Sequence, residues 1–140
     1  MNEGLRRIET EAGALEAASL QMLAFKGLNC TLDMHALGCC WKTAIKSSES
    51  IIYGIYRMNV LVSVLLAHFT HDTRHLSIDV VATHPMWRRQ GLGELLMRTA
   101  EERALLNGYT KIRLISIGAH SFYSRLGYAV IDAYEMEKRL

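Results

Sequence analysis

Ser77-Ile78-Asp79-Val80-Val81-Ala82-Thr83-His84-Pro85-Met86-Trp87-Arg88-Arg89-Gln90-Gly91-Leu92-Gly93-Glu94 is the stretch whose reading decides the fold. From about Leu76 to Thr83 the residues are mostly β-branched or apolar, as in a strand, and Pro85 stops the run and biases His84 toward an extended backbone. Gly91 then opens a run of strong helix formers that reaches Asn107, with Leu92, Leu95, Leu96, Thr99 and Ala100 on one side. A helix that starts directly from a strand through a glycine loop leaves several backbone N–H groups unpaired, with about half a positive charge behind them. Glycine lets such a backbone approach a bulky anion with no Cβ in the way. Arg88 and Arg89 add charge beside it, so the loop predicts a pyrophosphate site. Two nucleotide loops are excluded by spacing. The dinucleotide fingerprint needs a third glycine where Leu96 stands, and the Walker loop needs Gly-Lys-Ser/Thr where the chain has Gly93-Glu94-Leu95.

Working outward, Ile51–Tyr56 and Val60–His68 read as strands joined by a turn at Arg57-Met58-Asn59, and His71-Asp72-Thr73 marks the turn before the decisive strand. Downstream come a strand at Lys111–Ser116, a short helix from about Ala119 to Leu126 stopped by Gly127, and two short strands, Tyr128–Asp132 and Tyr134–Lys138. Upstream, Leu5–Ile8 reads as a short strand, and Thr10 as the N-cap of a helix to about Lys26 with Leu15, Leu20, Met22 and Leu23 as its apolar stripe, ended by Gly27 and Asn29. Cys30–Ser50 is the least legible part: a short helix follows Thr31, and Gly38 breaks its pattern. Strands in the middle with helices on both sides predict an α/β or α+β sandwich around a mixed sheet.

Composition narrows the class. With 140 residues, half of them hydrophobic, the chain buries a core without disulfide or metal, and with no repeat or linker it reads as one domain, residues 1–140. A net charge of +2 from scattered basic residues does not imply a nucleic-acid partner. No apolar run approaches the ~20 residues of a membrane span; Val60–Ala67 is interrupted by Ser63. Met1–Thr10 lacks the apolar core of a signal peptide, and Cys30, Cys39 and Cys40 are odd in number, so a reduced, cytoplasmic protein is expected.

The loop resembles motif A of the GNAT superfamily of acetyl-CoA-dependent N-acetyltransferases, Arg/Gln-x-x-Gly-x-Gly/Ala, through Arg88, Gly91 and Gly93. Ser121-Phe122-Tyr123-Ser124-Arg125-Leu126-Gly127-Tyr128 is similar to the family's second segment, and Glu135–Leu140 to its last strand. The specific match spans about residues 76–140. The resemblance implies a three-layer sandwich with a central mixed sheet of six to seven strands, about four helices, and fourth and fifth strands splayed to form a slot for acetyl-CoA. It implies that the backbone of Val81, Ala82 and Thr83 hydrogen-bonds the pantetheine arm, and that Arg89, Gln90, Gly91, Leu92, Gly93 and Glu94 surround the pyrophosphate. Arg88 orients the loop more than it touches phosphate. Tyr123 falls where many members place the general acid that protonates the CoA sulfur; the alternative is that it only packs beneath the cofactor.

Asp79 is the best candidate for a base. Strand alternation places Leu76, Ile78, Val80 and Ala82 on one face and Ser77, Asp79, Val81 and Thr83 on the other, which makes Asp79 a carboxylate in an otherwise apolar strand. Burial there raises its pKa and suits a base, while binding the substrate ammonium and a structural role stay open. His68 and His75 face each other if the hairpin is symmetric about its turn, although histidines of a polar turn, His71 included, are usually solvated rather than metal-bound. Cys39-Cys40-Trp41 shows no base partner for an acyl-cysteine mechanism. Trp87 either stacks on adenine or covers the helix start, and Tyr53 and Tyr56, on opposite sides of their strand, either line an acceptor pocket or pack in the sheet.

The function implied is transfer of acetyl from acetyl-CoA to a primary amine of a small molecule or protein, by direct attack in a ternary complex and without metal. Residues 24–50 set the acceptor, and pairing of the last strands into a homodimer is a family habit. The alternatives are a CoA-binding regulatory module without turnover and an unrelated phosphate-loop protein.

Overall fold

Thr10 accepts a hydrogen bond from the Gly13 N–H at 3.1 Å and so starts the first helix where the sequence places it. A computed structural model describes residues 3–25, 33–116 and 118–140. Seven strands, β1 (Gly4–Arg7), β2 (Ser50–Arg57), β3 (Val60–Thr70), β4 (His75–Thr83), β5 (Lys111–Ile115), β6 (Ala129–Val130) and β7 (Glu135–Arg139), form a sheet in the order β1-β2-β3-β4-β5-β7-β6. Neighbours are antiparallel except β4 and β5, which run parallel. Helices α1 (Glu11–Ala24) and α2 (Met34–Lys46) cover one face; α3 (Leu92–Leu106) and α4 (His120–Arg125) pack on the other. This is the expected mixed sheet between two helical layers.

The helices differ in detail from their sequence readings. On α1 the buried face is Gly13, Ala14, Ala17, Ala18, Leu20 and Ala24, whereas Leu15 and Leu23 of the expected stripe are exposed. Small residues let the helix axis approach the sheet closely, and apolar counting misses them. The helix after Thr31 is α2, capped by Asp33, and Gly38 does not end it: Gly38 is buried with room for no more than ordinary contact against Leu15. On α3 the stripe rotates toward Met97, Glu101 and Ala104, leaving Leu95 exposed. The helix end expected at Gly27 and Asn29 lies outside the described residues.

Two irregularities set the site. Between β3 and β4 the partner pairs step from Leu66↔Val80 to Ala67↔Ile78, so Asp79 is the extra residue of a β-bulge. The bulge reverses the alternation. Leu76, Ile78 and then Val81 pack into the α3-side core, while Val80 and Ala82 pack on the α1 side. The single-face set expected from strict alternation is therefore wrong beyond Ile78. Next, β4 and β5 pair only over Leu76↔Ile112, Ser77↔Arg113 and Ile78↔Leu114, although β4 runs on to Thr83. Past Ile78 the two strands part, which is the expected splay.

Candidate active site at the splayed strands

The opening between β4 and β5 is a groove of about 1220 Å³. It gathers most of the residues singled out in the sequence: Val81, Ala82 and Thr83 from β4; Arg88, Arg89, Gly91, Leu92, Gly93 and Glu94 from the loop and the start of α3; and Tyr123 from α4. Of the residues expected around the cofactor, Gln90 alone does not line it. With β5 diverging, the β4 edge past Ile78 has no strand neighbour on that side among the described residues, as an extended ligand arm requires.

The loop is built for an anion. Pro85–Trp87 is a single 3₁₀ turn whose Met86 N–H donates to His84 Nδ1 at 3.0 Å. Arg89 (φ 64°) and Gly91 (φ 77°) then adopt left-handed conformations, which turn the chain sharply into α3. Gly91 is the N-cap and supplies no capping side chain, so the first N–H groups of α3 stay open at the groove. Among the described residues, three arginines, Arg88, Arg89 and Arg125, line the groove against one acid, Glu94. Arg88 has a tethering contact: its guanidinium donates to the Ala24 carbonyl at 2.9 Å, tying the last turn of α1 to the loop. A Cβ on Gly93 stands 3.2 Å from the Phe122 ring, so this glycine lets α4 close over the helix start. Trp87 lines the groove and packs against the α3-side core, which favours the covering role over adenine stacking.

Tyr123 meets Phe122 and Tyr128 edge-on, with centroids 5.0 and 6.0 Å apart. Burial pushes its phenol up to about 12, so it stays protonated across the physiological range. Its support is a buried network. Tyr128 donates to Glu101 at 2.9 Å, and Lys138 donates to both Glu101 oxygens at 3.2 Å and to the Leu126 carbonyl at 2.7 Å. Burial and the Glu101 carboxylate raise the Tyr128 phenol further.

Asp79 lies outside the groove. It is exposed, not buried as expected, and stands unpaired at the bulge. It lines a second cavity of about 330 Å³ with His68, His75, Ser77, Arg113 and Glu135, and accepts a 2.7 Å hydrogen bond from His68 Nδ1. His68 does not face His75 as hairpin symmetry suggests: His68 is opposite Ser77, and His75 is opposite Thr70. Burial lowers the His75 pKa, and its ring nitrogens meet Thr73 and Ser77 hydroxyls at 2.5 and 2.9 Å. Among the described residues no histidine, cysteine or carboxylate group is arranged to hold a metal ion. Cys39 and Cys40 are exposed on α2, with Cys39 Sγ 3.8 Å from His35 Nε2, and neither lines the groove. Cys30 lies outside the described residues. Tyr53 packs on the α3 side and Tyr56 on the α1 side, both as sheet packing.

Sequence reading missed Leu23, Ala24 and Phe25, which bring the end of α1 into the groove wall, and the His68–Asp79 pair. A helix end carries no motif, and the pair depends on a bulge that the residue pattern does not announce.

Among the described residues no helix is long and apolar enough to cross a membrane. No curated protein matches the chain in sequence. Solved structures share its fold. The PaiA N-acetyltransferase of Thermoplasma acidophilum in complex with coenzyme A superposes with a TM-score of 0.83 at 15% identity, covering 100% of both chains. An aminoglycoside 6'-N-acetyltransferase complexed with coenzyme A gives 0.80 at 13% identity over 96% of each chain. A transcriptional regulator from Bacillus halodurans C-125 gives 0.77 at 23% identity over 94% of this chain and 95% of that one. The model of the acetyltransferase (GNAT) family matches residues 16–128, which take in both the glycine loop and the α4 tyrosine, and the chain is a member of that family.

Proposed function

We propose that this chain transfers the acetyl group of acetyl-CoA to a primary amine by direct attack in a ternary complex. The observation that carries the reading is the sharing of one groove by a free strand edge, an open helix N-terminus and a shielded phenol. The β4 backbone at Val81–Thr83 extends along the pantetheine arm. The N–H groups at the start of α3, with Arg89 beside them, hold the pyrophosphate. Coenzyme A in two structures of the same fold supports the cofactor, and their names support an amine acceptor.

Tyr123 gives its proton to the sulfur as the C–S bond breaks. A phenol held near 12 remains fully protonated at neutral pH, and it hydrogen-bonds the departing thiolate without losing its proton early. Asp79 belongs to the acceptor side, beyond the groove. A homodimer through the last strands fits exposed Val130, Ile131 and Tyr134 beside the short β6. The free thiols of Cys39 and Cys40 fit a reducing, cytoplasmic setting.

Thermal-shift titration with acetyl-CoA, CoA and ATP, followed by thiol release against a panel of primary amines, tests the reading. Stabilisation by acetyl-CoA and CoA with amine-dependent thiol release is the expected result. Stabilisation by ATP alone overturns it; tight acetyl-CoA binding without thiol release points to a binding module instead. Tyr123→Phe is expected to cut turnover by about 100-fold and leave acetyl-CoA affinity within a few-fold, as calorimetry and initial rates together would show.

A further inference from the structure

We propose that His68, oriented by Asp79, takes the proton from the acceptor's ammonium, and that Asp79 is a positioning residue rather than the base; the inference rests on the transferase reading above. Asp79 directly follows the last β4–β5 pair, Ile78 with Leu114, so it sits at the vertex where the strands part. There its carboxylate accepts the 2.7 Å hydrogen bond from His68. A carboxylate has no proton to give, so the contact places the ring proton on Nδ1 and leaves the Nε2 lone pair free.

The pair lies just past the last β4–β5 pair, in a cavity separate from the groove. Its cavity also takes in Leu114 and Ile115 from the other arm of the slot. Ser77, Arg113 and Glu135 alternate with Ile78, Leu114 and Met136, which pack into the α3-side core, so this cavity opens on the face away from α3 and α4. Tyr123 stands on α4, on the opposite face. The incoming nitrogen and the departing sulfur thus each meet a proton partner of their own across the gap. The charged and titratable groups that share the cavity with His68 are Asp79 and His75 of β4, Arg113 of β5 and Glu135 of β7. Arg113 is engaged by Glu137 at 2.7 Å and also lies 3.9 Å from Glu135, so the lining sets the two carboxylates Asp79 and Glu135 against one guanidinium, a balance suited to an ammonium.

The proton path balances. One ammonium proton passes to His68 Nε2, and the freed lone pair forms the C–N bond. The C–S bond breaks with its electrons on sulfur, which takes the Tyr123 proton. Tyr123 recovers a proton from the amide nitrogen through water, and His68 releases its own to solvent. An imidazole suits this step better than a solvated carboxylate because general-base efficiency is greatest when the base titrates near the working pH.

The test uses the full chain, saturating acetyl-CoA and a panel of primary amines, with thiol release as the readout and acetyl-CoA affinity followed by calorimetry. His68→Gln is expected to lower kcat at least about 100-fold with unchanged acetyl-CoA affinity, and to remove the acidic limb of the kcat/KM profile. Added imidazole should partly restore His68→Ala. Asp79→Asn should lose less and keep the limb, displaced to lower pH. An unaltered pH profile in His68→Gln, or a loss confined to the amine KM, overturns the assignment while the transferase reading stands. Absence of thiol release by the unsubstituted protein with every amine overturns both.

Discussion

At Gly91 the backbone stands at φ 77° with open space where a Cβ would point, directly at the mouth of α3. A branched side chain there is opposed twice: by left-handed strain of about 1–2 kcal/mol and by occupation of the space that a phosphate must enter. Gly91→Val is therefore expected to lose acetyl-CoA binding in calorimetry, and unchanged affinity would remove this loop from the cofactor site. Gly93, identical in sequence terms, acts through packing, because its missing Cβ admits Phe122. The motif announced both glycines but not this division. Nor did it announce that Arg88 would reach Ala24, since a partner 64 positions away leaves no local trace. Asp79 was legible as an odd carboxylate in a strand, yet its exposure and its histidine were not, because both follow from the bulge.

Among the elements, the alanine face of α1 explains why an apolar tally points the wrong way. Ala14, Ala17 and Ala18 are fully buried, while Leu15 and Leu23 stand about two-fifths exposed at 41% and 42%. Ala17→Leu is expected to destabilise the fold by about 1–3 kcal/mol through overpacking. Leu95→Ser on exposed ground should stay within about 0.5 kcal/mol. Urea melts of the two variants compare these values directly. At the β5–β7 pair, Arg113 donates to Glu137 at 2.7 Å and holds that carboxyl below the usual range. A depressed folded value gives stability that is present above the ordinary carboxylate pKa and lost as pH falls through the folded one. Glu137→Gln should thus cost about 1 kcal/mol at pH 7, with the difference closing below about pH 4; a constant gap across denaturation curves would contradict it. Strands and helices were legible here because their periods run long enough to be counted, except where an extra residue or a small side chain breaks the count.

On the scale of the molecule, the sheet is two hydrogen-bonded ribbons, β1 to β4 and β5 to β6, joined by three residue pairs. An extended ligand lying along Val81–Thr83 supplies partners that β5 withholds. Saturation at about 100 times Kd should add about 2.7 kcal/mol of stability. Hydrogen exchange should then slow at residues 81–83 more than in β1 or β2, and uniform protection would show that the ligand lies elsewhere. The parting of the strands could be expected from the glycine loop and the α4 tyrosine, but its location after Ile78 could not, because it is set by pairing across the sheet.

The antiparallel match of β5 with β7 places Arg139 beside Lys111 and Glu135 beside Ile115. Leu140 therefore lies at the pole where β5 begins, while the groove opens at the pole where β5 ends. A tether or fusion at residue 140 points away from the mouth. Anchored to a bead or an electrode at residue 140, the protein keeps its entrance facing the solution, whereas attachment through α4 would shadow the entrance.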